Sequence, residues 1–457
     1  GAGIGSGKKS SGATNIEITG DALVSADGSN GAAIGSGKSS SGETTINIHD
    51  INTGKGVQRA FSSSGAGIGS GSYASGKTHI TIGKASVSTL GNFPATADSS
   101  GAGIGTGYAS SSDADITITE STVNADGGTG AAIGSGVDAK GITGISIKGS
   151  NVTAKASHGT GIGSGSSSSG NTTIDISGGT IEKATGGGDG YDGSAGIGSG
   201  SHSTGDTHIT LRDGVTVEAI GGGDSSRGGG GGAGIGSGSD ANGNTTILIE
   251  GAKQVTATGG STAAGIGSGR GVGNRANGSV SSTTITIRNS ADGRVIPIIE
   301  AKGGGDENEC CWASGAGIGS GGNTLNKTTI NIEGGIITAE GGVSSASDPS
   351  YHGSRLSGAG IGSGSNVSGE TVINISGGTI KSALGGKYGG AGIGSGSSDT
   401  KNDSKKGVVT INITDGTIEK ATGGGGYVPS SKRWYSGAGI GAGLNAGTTT
   451  TVASGNR

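Results

Sequence analysis

The sequence predicts an all-β parallel β-solenoid with three short strands per coil and about twelve coils. Three observations predict it. Glycine fills 110 of 457 positions, far above the usual share of about 7%. A phrase of the type Gly-Ala-Gly-Ile-Gly-Ser-Gly recurs thirteen times. Between its copies lie short runs of alternating Ile and polar residues, which signal strands.

Composition excludes the ordinary alternatives. Hydrophobic residues reach 29% and aromatics 2%, too few for a conventional globular core. Four prolines and no glycine at every third position rule out collagen. The net charge of −4 is too small for a chain kept unfolded by charge. It also gives no electrostatic case for nucleic acid. No apolar run approaches the roughly 20 residues of a membrane span, so no insertion by this segment is expected.

The motif isoleucines are Ile4, Ile34, Ile68, Ile104, Ile133, Ile162, Ile197, Ile235, Ile266, Ile318, Ile361, Ile393 and Ile440, spaced 29 to 52 residues apart. The motif is constant while something between copies changes length. After it comes a polar turn such as 166–171, then a second strand such as Thr173-Ile174-Asp175-Ile176. A glycine turn such as Gly178-Gly179 leads to a third strand of the Val-x-Ala type, as at Val123-Asn124-Ala125. An outer loop of variable length closes the unit. One coil cannot bury its Ile/Val edge alone, whereas coils stacked about 4.8 Å apart share a core. Right-handed coiling is the expectation from parallel crossovers. The whole chain, 1–457, reads as one continuous solenoid. Its ends show no helix or polar cap, so the expectation is a segment of a longer repeat protein or fibre.

Pleat alternation around Ile68 places Ala66 and Ser70 inward and Gly65, Gly67, Gly69 and Gly71 outward. That predicts a flat glycine face, required either by a thin core or by close approach of another sheet or flat ligand. The serine column is then a buried hydroxyl ladder. The outward column of the second strand runs Glu17, Asn47, Thr81, Thr117, Ser146, Asp175, Thr210, Leu248, Thr286, Asn331, Asn374, Asn412. This mixture suits a solvated surface better than an ice-binding array.

Catalytic chemistry finds no support. The glycine phrase lacks the Lys-Ser/Thr and helix of a phosphate loop. Glu17, Asp175 and Glu250 are coils apart, too far for paired acid–base work. No cofactor, no catalytic residue and no metal site is assigned; the acidic residues near Asp189 and Asp192 read as a solvated loop. Nine of eleven aromatics fall in outer loops by this reading, with Tyr73 and Tyr108 in the other long turn. The candidate ligand-binding residues are Trp312, Tyr351, His352, Arg355, Tyr388, Tyr427, Arg433, Trp434 and Tyr435. Stacked in order, they form one edge suited to sugar rings or a protein contact, unless each ring merely covers its own loop. Adjacent Cys310 and Cys311 form a strained disulfide, stay free or link to another chain.

Gly358 to Gly364 followed by Thr371 to Ile380 resembles the glycine-rich repeats of large bacterial cell-surface β-helix and adhesin-like proteins. The resemblance spans nearly the whole chain, with long inserted loops as departures. It implies a secreted or surface location and a non-enzymatic role, and carries over no site residues. Two functions stand open: a structural stalk or filament segment, and a carbohydrate-binding adhesin using the late aromatic edge. The partners expected are further copies, end to end or through the glycine face, and glycans.

Overall fold

The computed structural model describes residues 1–90, 100–188, 192–223, 229–271, 281–305, 313–344, 355–398, 407–428, 433–446 and 450–454. Two long parallel sheets dominate it. The first has 13 strands, each an Ile-Gly pair from one motif copy, from Ile4–Gly5 to Ile440–Gly441. The second has 24 strands and holds the second and third strands of every coil, for example Thr172–Ser177 and Thr180–Thr185. Strands pair with their equivalents one coil away. Among the described residues no helix is long and apolar enough to cross a membrane.

The register follows the repeat. Each motif isoleucine pairs with the next, as in Ile162↔Ile197 and Ile197↔Ile235. The polar column of the second strand pairs rung by rung, through Ser146↔Asp175, Asp175↔Thr210 and Asn374↔Asn412. Its last rungs are an amide ladder: Asn412 Nδ2 donates to Asn374 Oδ1 at 2.9 Å, and Asn374 Nδ2 to Asn331 Oδ1 at 2.8 Å. Parallel stacking puts like on like, and amides profit because each carries both donor and acceptor.

The core is a set of columns. In one coil Ile162, Ile174, Ile176, Ile181 and Ala184 are all 0% exposed. Each buried isoleucine contributes about 1.5–3 kcal/mol, and β-branching suits the pleated surface. Ile4 and Ile440 are each 38% exposed, while the eleven motif isoleucines between them are at 0%.

The serines of the motif form the expected ladder in a specific way. Each hydroxyl accepts from the N–H of a glycine in the next coil: Gly200 to Ser164 at 3.1 Å, Gly238 to Ser199 at 3.2 Å, Gly269 to Ser237 at 3.1 Å. Ser199→Ala leaves the Gly238 N–H buried without that acceptor. The expected loss is about 1–3 kcal/mol, read as a lower urea midpoint at unchanged slope. An unchanged midpoint would show that the ladder is incidental.

The glycines do not form the outward face that alternation predicts. Gly65 to Gly71 are buried. A Cβ at Gly67 would sit 2.6 Å from the carbonyl oxygen of Gly103, and one at Gly69 would overlap that of Gly105. The cause is conformational. Gly69 has φ +137° and its equivalents cluster near +140°, a region open to glycine alone. That torsion breaks the two-residue alternation and turns the missing side chain along the stack. A glycine face for other copies is therefore not formed; the motif is spent on contact between coils.

Candidate functional site

The outer loops and the turn after the motif share one edge of the stack. In most coils the N–H of the fourth residue after the motif isoleucine bonds to the outer loop that leads into the motif one rung back: Ser239 to Gly193 at 2.8 Å, Arg270 to Gly231 at 3.0 Å, Ser397 to Ser357 at 2.8 Å. The next residue turns the chain in the left-handed conformation, as at Tyr73, Asp138, His202, Asp240 and Asn366, with φ 57°, 55°, 56°, 51° and 53°. Asp and Asn tolerate this region better than most residues. The outer loops leave and re-enter through stacked glycines: Gly260 N–H bonds Gly232 at 2.9 Å and Gly342 N–H bonds Gly315 at 2.9 Å. Loop length is thereby uncoupled from the stack.

Two side-chain groups stand out on this edge. The first is aromatic. Gly425–Val428 and Arg433–Ser436 form an antiparallel hairpin with Tyr427 opposite Trp434 and Gly426 opposite Tyr435. The Tyr427 and Trp434 rings are 5.2 Å apart at 45°, 44% and 79% exposed. Tyr435 meets Tyr388 edge-on at 6.1 Å. Tyr388 is 1% exposed. Arg355 lies 4.7 Å over its ring and donates to its hydroxyl, and Lys387 lies 5.6 Å away.

The candidate aromatic edge thus divides. Tyr388, Arg355 and Tyr435 anchor the hairpin, while Tyr427 and Trp434 are offered to solvent. Tyr388 is corrected from ligand platform to packing anchor, because the hairpin covers it. Arg433 lies on the hairpin opposite Val428. Trp312, Tyr351, His352, Cys310 and Cys311 lie outside the described residues. Phe61 closes the strand Gly56–Phe61 rather than sitting in a loop. Tyr73 and Tyr108, set apart in the sequence reading, meet edge-on at 5.5 Å on the loop-bearing edge.

The second group is ionisable. Asp192, from an outer loop, meets His202 and Asp240 from the left-handed turns of the next two coils. One donor atom from each lies within 4.8 Å of the others, with His202 Nε2 4.0 Å from Asp192 Oδ2. Burial pushes the Asp240 carboxyl above its ordinary range; His202 opposes this, Asp192 adds to it, and Arg270 opposes it. Sequence reading missed His202 and Asp240. A signal existed: each stands five residues after its motif isoleucine, so aligned repeats place them on consecutive rungs.

Several other charges are paired, most of them across coils. Arg212 makes a bidentate contact to Asp175 through Nε at 2.9 Å and a terminal nitrogen at 2.8 Å, and Arg288 meets Glu250 at 3.2 Å. His49 holds Glu17 on Nε2 at 3.2 Å and Asp50 on Nδ1 at 3.1 Å. The Asp50 and Glu17 carboxylates raise its pKa above the ordinary value.

Comparison with the curated proteins and with solved structures gives no significant match. Five segments of the chain, 116–137, 174–201, 247–270, 373–397 and 411–444, match the family model described as a beta helix repeat. Each begins in a second strand, and all five run through the following glycine motif. Matched segments and sheet register agree on the architecture, a parallel β-solenoid built from stacked repeats.

Proposed function

We propose that this chain is a non-enzymatic structural spacer, secreted or held at a cell surface, which carries variable loops along one edge of a stiff rod. The single observation that carries this reading is the unbroken isoleucine column from Ile4 to Ile440. Its twelve steps of about 4.8 Å give a rod of roughly 60 Å. The charged surface residues supporting it are engaged in ion pairs such as Arg212–Asp175, which leaves those carboxylates serving the stack.

A second reading, a glycan-binding adhesin, draws on the Tyr427–Trp434 pair. A tryptophan 79% exposed and backed by a second ring offers a stacking surface for a sugar. One experiment separates the two. Negative-stain images should show rods about 60 Å long or multiples of that length, and a polysaccharide pull-down should be blank for a spacer. Globular particles would overturn the spacer. Retention on polysaccharide that Trp434→Ala reduces at least tenfold would establish the adhesin instead.

A further inference from the structure

We propose that Asp192, His202 and Asp240 form a binding site for a first-row divalent transition metal, with zinc the best fit. The first support is convergence. At His49 and His79 each ring nitrogen faces its own carboxylate: His79 has Glu43 on Nε2 and Asp115 on Nδ1, both at 3.3 Å. Those imidazoles bridge separated acids. At His202 the donors of three residues gather around one point.

The chemistry of the set selects the ion. One imidazole and two carboxylates suit zinc, which takes three protein ligands and leaves a fourth position open. An imidazole argues against calcium and magnesium, which prefer oxygen. Two carboxylates balance the charge of a divalent cation. Zinc bonds of about 2.0–2.1 Å imply ligand separations of about 3.3–3.4 Å in a tetrahedron. The three side chains must therefore draw in by about 1 Å, within the reach of side-chain rotation.

Two further observations point to a ligand here. Ser239 precedes Asp240 in the chain, and its N–H bonds the carbonyl of Gly193, the neighbour of Asp192. Ser239 is 0% exposed and its Oγ has no hydrogen-bond partner; Asn242 Oδ1, two residues beyond Asp240, is likewise buried without one. Buried polar atoms without partners are rare, and both of these lie within two residues of Asp240 in the chain. The next coil also makes room. At the equivalent of His202 and Asp240 it has Gly271, where a Cβ would collide with the Asp240 carboxylate. The bound ion would tie one outer loop to two successive coil turns, acting as a clasp across the rungs.

The test is isothermal titration of the full chain, stripped with chelator, using ZnCl2, MgCl2 and CaCl2 as probes. The expected result is one zinc per chain at micromolar affinity or tighter, with no heat from magnesium or calcium at the same concentrations. Asp192→Asn and His202→Ala should each weaken zinc at least tenfold, while His79→Ala leaves it unchanged. No zinc binding by the parent chain, or binding undiminished by Asp192→Asn and His202→Ala, would overturn the proposal. Circular dichroism checks the fold of each variant. Should His202→Ala lose its strand signal, the loop variant Asp192→Asn, near-isosteric with the parent, decides the outcome alone.

Discussion

Gly198→Ala is expected to abolish the cooperative folding of the central coils. A single methyl does this because two penalties coincide at Gly198. Its φ of +140° excludes L side chains, and a Cβ would fall inside the carbonyl oxygen of Gly236 in the next coil. That neighbour is backbone held in register on both sides, so neither coil can yield without opening the sheet. The loss belongs to the exceptional class above about 4 kcal/mol. Gly214→Ala is the control: φ is +75° but nothing lies within 4 Å of the added carbon, so only the left-handed penalty of about 1–2 kcal/mol applies. Urea unfolding and limited proteolysis of both variants check the contrast. Equal losses would mean that torsion alone, and not the approach of the next coil, requires the glycine column.

Ile174→Ala should destabilise the rod by about 2–5 kcal/mol. Ile174 is 0% exposed and lies between Ile145 and Ile209 on adjacent rungs. The cavity therefore removes contacts from three coils at once. In a nearest-neighbour stack, weakening one coil uncouples the halves on either side. Proteolysis should accordingly cut near the site and leave two resistant fragments. Thr173, its exposed neighbour in the same strand, should tolerate alanine within about 0.5 kcal/mol. Similar melting shifts for the two variants would show that this strand face does not carry the core.

The strand columns were legible in the sequence because side chains alternate with a period of two, and in the second strand nothing disturbs that period. Every rung of the column from Glu17 to Asn412 pairs as the alternation implies. The glycine motif was not legible in the same way. Alternation assumes negative φ, and a glycine near +140° rotates out of the pattern without leaving any trace in residue type. The closeness of the outer loops to the turns was hidden for a related reason. It depends on how a coil closes in three dimensions, and only then does Asp192 arrive beside His202 and Asp240. The burial of Tyr388 follows from a hairpin that begins 37 residues later, at Gly425, which no local pattern foretells.

The matched serine-to-glycine and isoleucine-to-isoleucine contacts have a consequence for how such a protein changes over generations. Every coil offers its successor the same hydroxyl acceptor and the same hydrophobic knob that its predecessor offered to it. A coil is therefore an interchangeable part. Removing 104–132 would bring the rung of Ile68 against that of Ile133, two residues that already pair with the same partner, Ile104. Duplication or loss of a whole repeat during recombination alters reach without opening a seam in the core. Rod length becomes a heritable quantity adjustable in steps of about 4.8 Å, and each step can arrive with a different loop already attached.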